Sequence, residues 1–192
     1  MSSSSKTRGT IDRHLNASKR ERSIVRIEPF HAGSNRIDGI VLVNRESFVA
    51  LQVIEDFEDD GAAVIPKGTV ESVRRGPFER CATAVYQKTP TRREAKRFKW
   101  LTTLRTLPDV VRYLQAHDLW PAVKIADEDE TIVYVGKVTK LSDASFAMWC
   151  YDAAGEWERE YEVEYDEVIK VEIDSRYLRH FNRYMKRKGL PR

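Results

Sequence analysis

Apolar residues in this chain come in short runs broken by turn chemistry. After a polar opening, the β-branched and apolar positions begin at Ser23, and SIVRIEPF predicts a strand ending at Pro29, because proline has no N–H to give a ladder. Ile40 to Val43 is a continuous apolar run, consistent with a strand covered on both faces. Phe48 to Ile54 is a second run, and Glu55 to Gly61 then provides an acidic turn whose glycine permits positive φ. Ala62 to Ile65 and Val70 to Arg74, separated by Pro66-Lys67-Gly68, complete four or five short strands. Further on, Ala122 to Ile125 and Thr131 to Leu141 restart the β pattern around Asp127-Glu128-Asp129-Glu130.

Two stretches of this pattern read alike, Gly39 to Val73 and Gly136 to Val171. Gly39 matches Gly136, Phe48 matches Phe146, Asp56 matches Asp152 and Gly61 matches Gly155. Val70 and Val73 match Val168 and Val171, and Phe78 matches Tyr177. An ordered series of this kind predicts an internal repeat.

Helical spacing appears after each stretch. Pro77 opens a predicted helix with Phe78, Cys81, Ala82 and Val85 on one face, and Tyr177, Phe181, Tyr184 and Met185 repeat that spacing near the end of the chain. Thr106-Leu107-Pro108-Asp109 predicts a further helix start, with burial of Val110, Val111 and Leu114 and a stop before Pro121. Thr91 to Thr106 is strongly basic and is read as a helical connector. Residues 1–22 are Ser-rich, then basic, with few large apolar groups, and are expected to form a disordered tail.

The expected fold is therefore α+β, mainly β: two similar small β-barrels, each followed by an α-helix. The first spans 23–90 with its helix, the basic connector spans 91–118, and the second barrel with a C-terminal basic helix spans 119–192. The doubled pattern resembles tandem Sm-like or SH3-like small barrels. Gly39 with Glu46 and Leu51, and Gly136 with Asp143, carry the likeness to the Sm-like signature. Val49 stands where that family has an RNA-contacting asparagine, so the resemblance implies a fold and transfers no binding residue.

Composition narrows the class. The 192 residues are 41% hydrophobic, enough for real cores, and no run approaches the roughly 20 apolar residues of a membrane helix. Cys81 and Cys150, without a secretory signal, point to a reducing cytoplasm and buried free thiols. Asp56, Glu58, Asp60 and Gly61 imitate a calcium loop, but Lys67 occupies the twelfth position, where a glutamate is needed. His31, His117 and His180 have no paired nucleophile and orienting acid, and there is no P-loop or dinucleotide motif. No enzyme activity, cofactor or metal is expected.

Charge changes the picture more than composition does. The net charge of +3 hides basic blocks at 76–106 and 176–192 beside an acidic block at 131–175. Two functional readings follow. A protein partner, bound at a barrel edge or at Trp157, is the first. RNA is the alternative, bound by Arg92, Arg93, Lys96, Arg97, Lys99 and Trp100 in the connector with Arg183, Lys186 and Arg187 in the last helix.

Overall fold

The computed structural model describes residues 3–30, 36–88, 96–127 and 130–190. Ten strands form a single open antiparallel sheet instead of two separate closed barrels. In chain order they are β1 (Ile24–Pro29), β2 (Ile37–Asn44), β3 (Phe48–Glu55), β4 (Glu58–Pro66), β5 (Val70–Arg74), β6 (Ala122–Asp127), β7 (Glu130–Leu141), β8 (Ser145–Tyr151), β9 (Trp157–Glu164) and β10 (Val168–Ile173). Helix α1 (Ser3–Glu21) precedes β1, α2 (Pro77–Tyr86) follows β5, α3 (Leu107–Ala116) precedes β6, and α4 (Arg176–Lys188) follows β10.

Across the sheet the order is β5-β1-β2-β3-β4-β10-β6-β7-β8-β9. What prevents two independent barrels is the β4–β10 pairing, with Val171 opposite Val64, Glu172 opposite Ala63 and Ile173 opposite Ala62. One apolar core extends through this pairing. That core runs from Phe48, Ala50 and Val64 through Val110 and Leu114 of α3 to Val123, Phe146 and Val171.

The two sets of five strands share their irregularities. Register shifts fall between Val41 and Val43 in β2–β3 and between Val138 and Lys140 in β7–β8. Others fall between Gln52 and Ile54 in β3–β4 and between Trp149 and Tyr151 in β8–β9. Gly39 opposes Val53, and Gly136 opposes Cys150, at the same place in each set. A Cβ at either glycine would run into the facing backbone carbonyl, that of Gln52 or Trp149, so both positions require a bare backbone. By this register Val49, not Phe48, matches Phe146.

Gly61 and Gly155 both have positive φ, for different reasons. The β3–β4 hairpin turns at Asp56 and Phe57, whose φ values of 49° and 64° suit a two-residue loop of opposite twist to a common turn. Gly61 lies inside β4, where Ile173, Asp174 and Ser175 press against it. Gly155 sits in the β8–β9 turn beneath the Tyr184 ring.

The expected N-terminal tail is a helix. Ile11, Leu15 and Ser18, at spacings of four and three, are buried with β1, β2 and β5. The Ser18 hydroxyl donates to Ser23 O (2.6 Å) and accepts from Val41 N (3.2 Å), while Asp12 ion-pairs with Lys67. The imidazole of His14 donates from Nδ1 to Val73 O at 2.7 Å. Few apolar anchors suffice because polar side chains tie down the rest.

The face of α2 is also rotated from expectation. Glu79, Ala82 and Tyr86 are buried, whereas Phe78, Cys81 and Val85 are exposed. Glu79 is drawn inward by Arg74 (2.8 Å) and by the Gly76 N–H, so a carboxylate takes an inner position that periodicity assigns to apolar groups. α3 follows its signals: Thr106 caps Asp109 N, Asp109 accepts from Thr106 N, and Val110, Val111 and Leu114 are buried.

Gly136→Ala should cost roughly 1–3 kcal/mol, the range for forcing atoms into a packed site. Gly68→Ala, with open space around it, should be within about 0.5 kcal/mol of the parent. Urea unfolding of both variants checks this, and equal midpoints would remove the close approach as the reason for glycine.

Candidate functional site

Helix α4 supplies the most concentrated charge and is anchored on one side only. At its start the Ser175 hydroxyl accepts from Leu178 N (3.3 Å), and the Asp60 carboxylate, arriving from β4, accepts from Arg176 N at 2.7 Å. These acceptors satisfy N–H groups that a helix start leaves open. Leu178 and Met185, seven residues apart, are fully buried. Between them Asn182 donates to Trp120 O (2.8 Å) and accepts from the Tyr151 hydroxyl (2.6 Å). Gly189, at φ 80°, ends the helix, and its carbonyl accepts from Trp157 Nε1 at 2.7 Å.

The adjoining side of α4 borders a cleft of about 530 Å³. Arg179, Arg183, Lys186 and Arg187 form one wall; Asp118, Trp120, Ile173 and Asp174 contribute the other. Asp118 binds Lys186 Nζ at 2.8 Å and lies 3.4 Å from Lys137, and the Lys186 ammonium sits 5.0 Å from the Trp120 ring centre. Burial alone would raise the Asp118 pKa. Hydrogen bonds from Lys186 and Trp120, with the charges of Lys186 and Lys137, outweigh it and hold the carboxyl below its usual range. At the other end Asp174 ion-pairs with Arg97, and its carbonyl accepts from Arg179 Nη1 (3.0 Å) and Arg97 Nη2 (3.3 Å).

The predicted nucleic-acid residues thus divide. Arg97, Arg183, Lys186 and Arg187 meet at or beside the cleft. Lys96 and Lys99 are exposed but do not line it. Trp100 stacks on Tyr113 (4.0 Å between ring centres), which stacks on His117 (3.8 Å), so this ring is consumed in packing. Arg92, Arg93 and His31 lie outside the described residues. Arg179 and Asp118 were missed. Arg179, Arg183 and Arg187 at i, i+4 and i+8 are a row visible in the sequence; Asp118 carries no such signal.

No family model, curated protein or solved structure matches the chain.

Trp157 is not an exposed contact. It packs edge-on against Trp120 (5.7 Å) and Tyr151 (5.8 Å) and holds the end of α4. The aromatic stripe of α4 is partly surface: Met185 is buried and Phe181 half-buried, while Tyr177 and Tyr184 are exposed. Cys150 is buried and its thiol is pushed up to about 12 by burial, whereas Cys81 is exposed, against expectation. Outside α4, β9 pairs only with β8, leaving its other edge open among the described residues.

Asp118→Asn should lower stability near neutral pH by about 0.5–1 kcal/mol, the scale of a solvent-screened ion pair. Because the folded-state pKa is lowered, that contribution is present above the unfolded value and disappears as pH falls through the folded one. Urea unfolding across acidic pH should show parent and variant converging; a constant gap would contradict the charge-based origin.

Proposed function

We propose that the chain is a non-enzymatic binding protein that accepts an extended segment of a protein partner along the open edge of β9. The observation that carries this reading is that β9 ends the sheet with one side unpaired among the described residues. Tyr165 N donates to Ala144 O, beside β8, and backbone groups alternate sides along a strand. Glu160 and Glu162 accordingly direct their backbone N–H and C=O outward. The corresponding strand of the first set, β4, pairs through Ala62 and Val64 with β10, so strand addition at this position already occurs once within the chain.

Charge favours a basic partner segment. Glu160 is held by Lys140 (2.5 Å) and Thr139 (2.6 Å), and Glu162 by Ser145 (2.6 Å). The side chains of Glu158 and Glu164 have no hydrogen bond or ion pair among the described residues. An edge carrying this much acid disfavours indiscriminate pairing and suits a strand bearing lysine or arginine.

Glu162→Pro removes one outward N–H without touching the bonds to β8. Cross-linking in the native extract should recover partner chains on β9 with the parent protein and lose them with this variant. In the parent, hydrogen exchange at Glu160 and Glu162 should slow when partner is bound. Unchanged recovery by Glu162→Pro, in a protein that keeps its β circular dichroism, would exclude edge pairing.

A further inference from the structure

We infer that the cleft beside α4 is a second binding site, distinct from the β9 edge, that takes the phosphodiester backbone of a single-stranded nucleic acid. Six basic side chains and no acidic one lie on α4, and most have structural duties. Arg176 faces Glu58 (3.2 Å) and Asp60 (3.4 Å), Lys186 holds Asp118, Lys188 binds Glu156 (2.7 Å), and Arg179 reaches Asp174 O. The side chains of Arg183 and Arg187 have neither hydrogen bond nor ion pair among the described residues, although both line the cleft. One helical turn apart, they lie about 6 Å from each other along the axis, on the same side.

The cleft's own acids do not cancel them. Asp118 is engaged by Lys186 and Lys137, and Asp174 by Arg97, so the two guanidiniums carry the excess charge. Guanidinium groups present planar paired donors that match phosphate oxygens. The acidic strand β9 does not shield this face, since its neighbour Glu156 reaches only Lys188, which is not among the lining residues.

Single strands are favoured over duplex because the site is a recess between a helix and a strand end, with no projecting element to enter a groove. Base identity should matter little. The lining ring, Trp120, is 6% exposed and has Lys186 near its face, so no free aromatic platform is left for stacking. Phosphate neutralisation then dominates, which makes binding steeply salt-dependent.

Fluorescence anisotropy with labelled single-stranded RNA of mixed sequence, titrated with the full chain over a salt series, tests the assignment. The parent should bind, weakening as salt rises. Arg183→Glu/Arg187→Glu should weaken binding at least tenfold and reduce the log–log salt slope by about 1.4, two contacts at about 0.7 each. Arg13→Glu/Lys19→Glu makes the same change in net charge on exposed positions of α1 and should bind like the parent. Glu162→Pro should also bind like the parent, which separates this site from the β9 edge. The assignment is overturned if the parent does not bind at low salt, if the α4 variant binds unchanged, or if the α1 variant loses as much. It is also overturned if inorganic pyrophosphate displaces the RNA at equal phosphate concentration, since the site would then serve a small phosphate ligand.

Discussion

The hydrogen-bonded contact between β4 and β10 converts two five-stranded sets into one molecule. It is short, with three residue pairs, but several other features are arranged about it. Gly61 takes a left-handed conformation so that Ile173 and Ser175 can lie against β4, and Asp60, one residue earlier, caps the first N–H of α4. Arg176 then faces Glu58 and Asp60 across the same junction. The position of α4, and with it the basic cleft, is therefore set by a strand belonging to the other half of the chain.

The positive charge of the last helix is resolved mainly within the fold. The basic last helix meets the acidic β3–β4 hairpin at Arg176, the α3–β6 segment at Lys186, and the β8–β9 turn at Lys188. Arg97, from the basic connector, is likewise committed to Asp174. On α4, Arg183 and Arg187 are left over from this internal matching. A count of basic residues on that helix overstates the positive charge on offer, because four of its six lysines and arginines are engaged within the fold.

Local signals were readable where chemistry and geometry coincide within a few residues. The Thr106–Asp109 helix start and the proline at the end of β1 are examples. Helix α1 was not readable, since its anchors are few and its tethers, Asp12 to Lys67 and His14 to Val73, span more than fifty residues. The inward turn of Glu79 depends on Arg74 and defeats any rule based on periodicity. Joining of β4 to β10 was hidden for a related reason: edge pairing uses backbone groups that every sequence possesses. At the site, arginine spacing along α4 was visible, but the acids that occupy some of those arginines come from distant segments.

The junction between the halves also constrains the order in which the protein can be completed during synthesis. Val171 lies 107 positions after its partner Val64 in the chain. When β4 leaves the ribosome, the small apolar run Ala62-Ala63-Val64 has β3 on one side and no strand on the other, and that edge waits through the making of β5, α2, α3 and β6 to β9. An unpaired apolar edge held open for that long invites pairing with other nascent chains. The last tenth of the sequence, though it contributes one helix and a few loop residues, follows directly on the strand that ends this exposure.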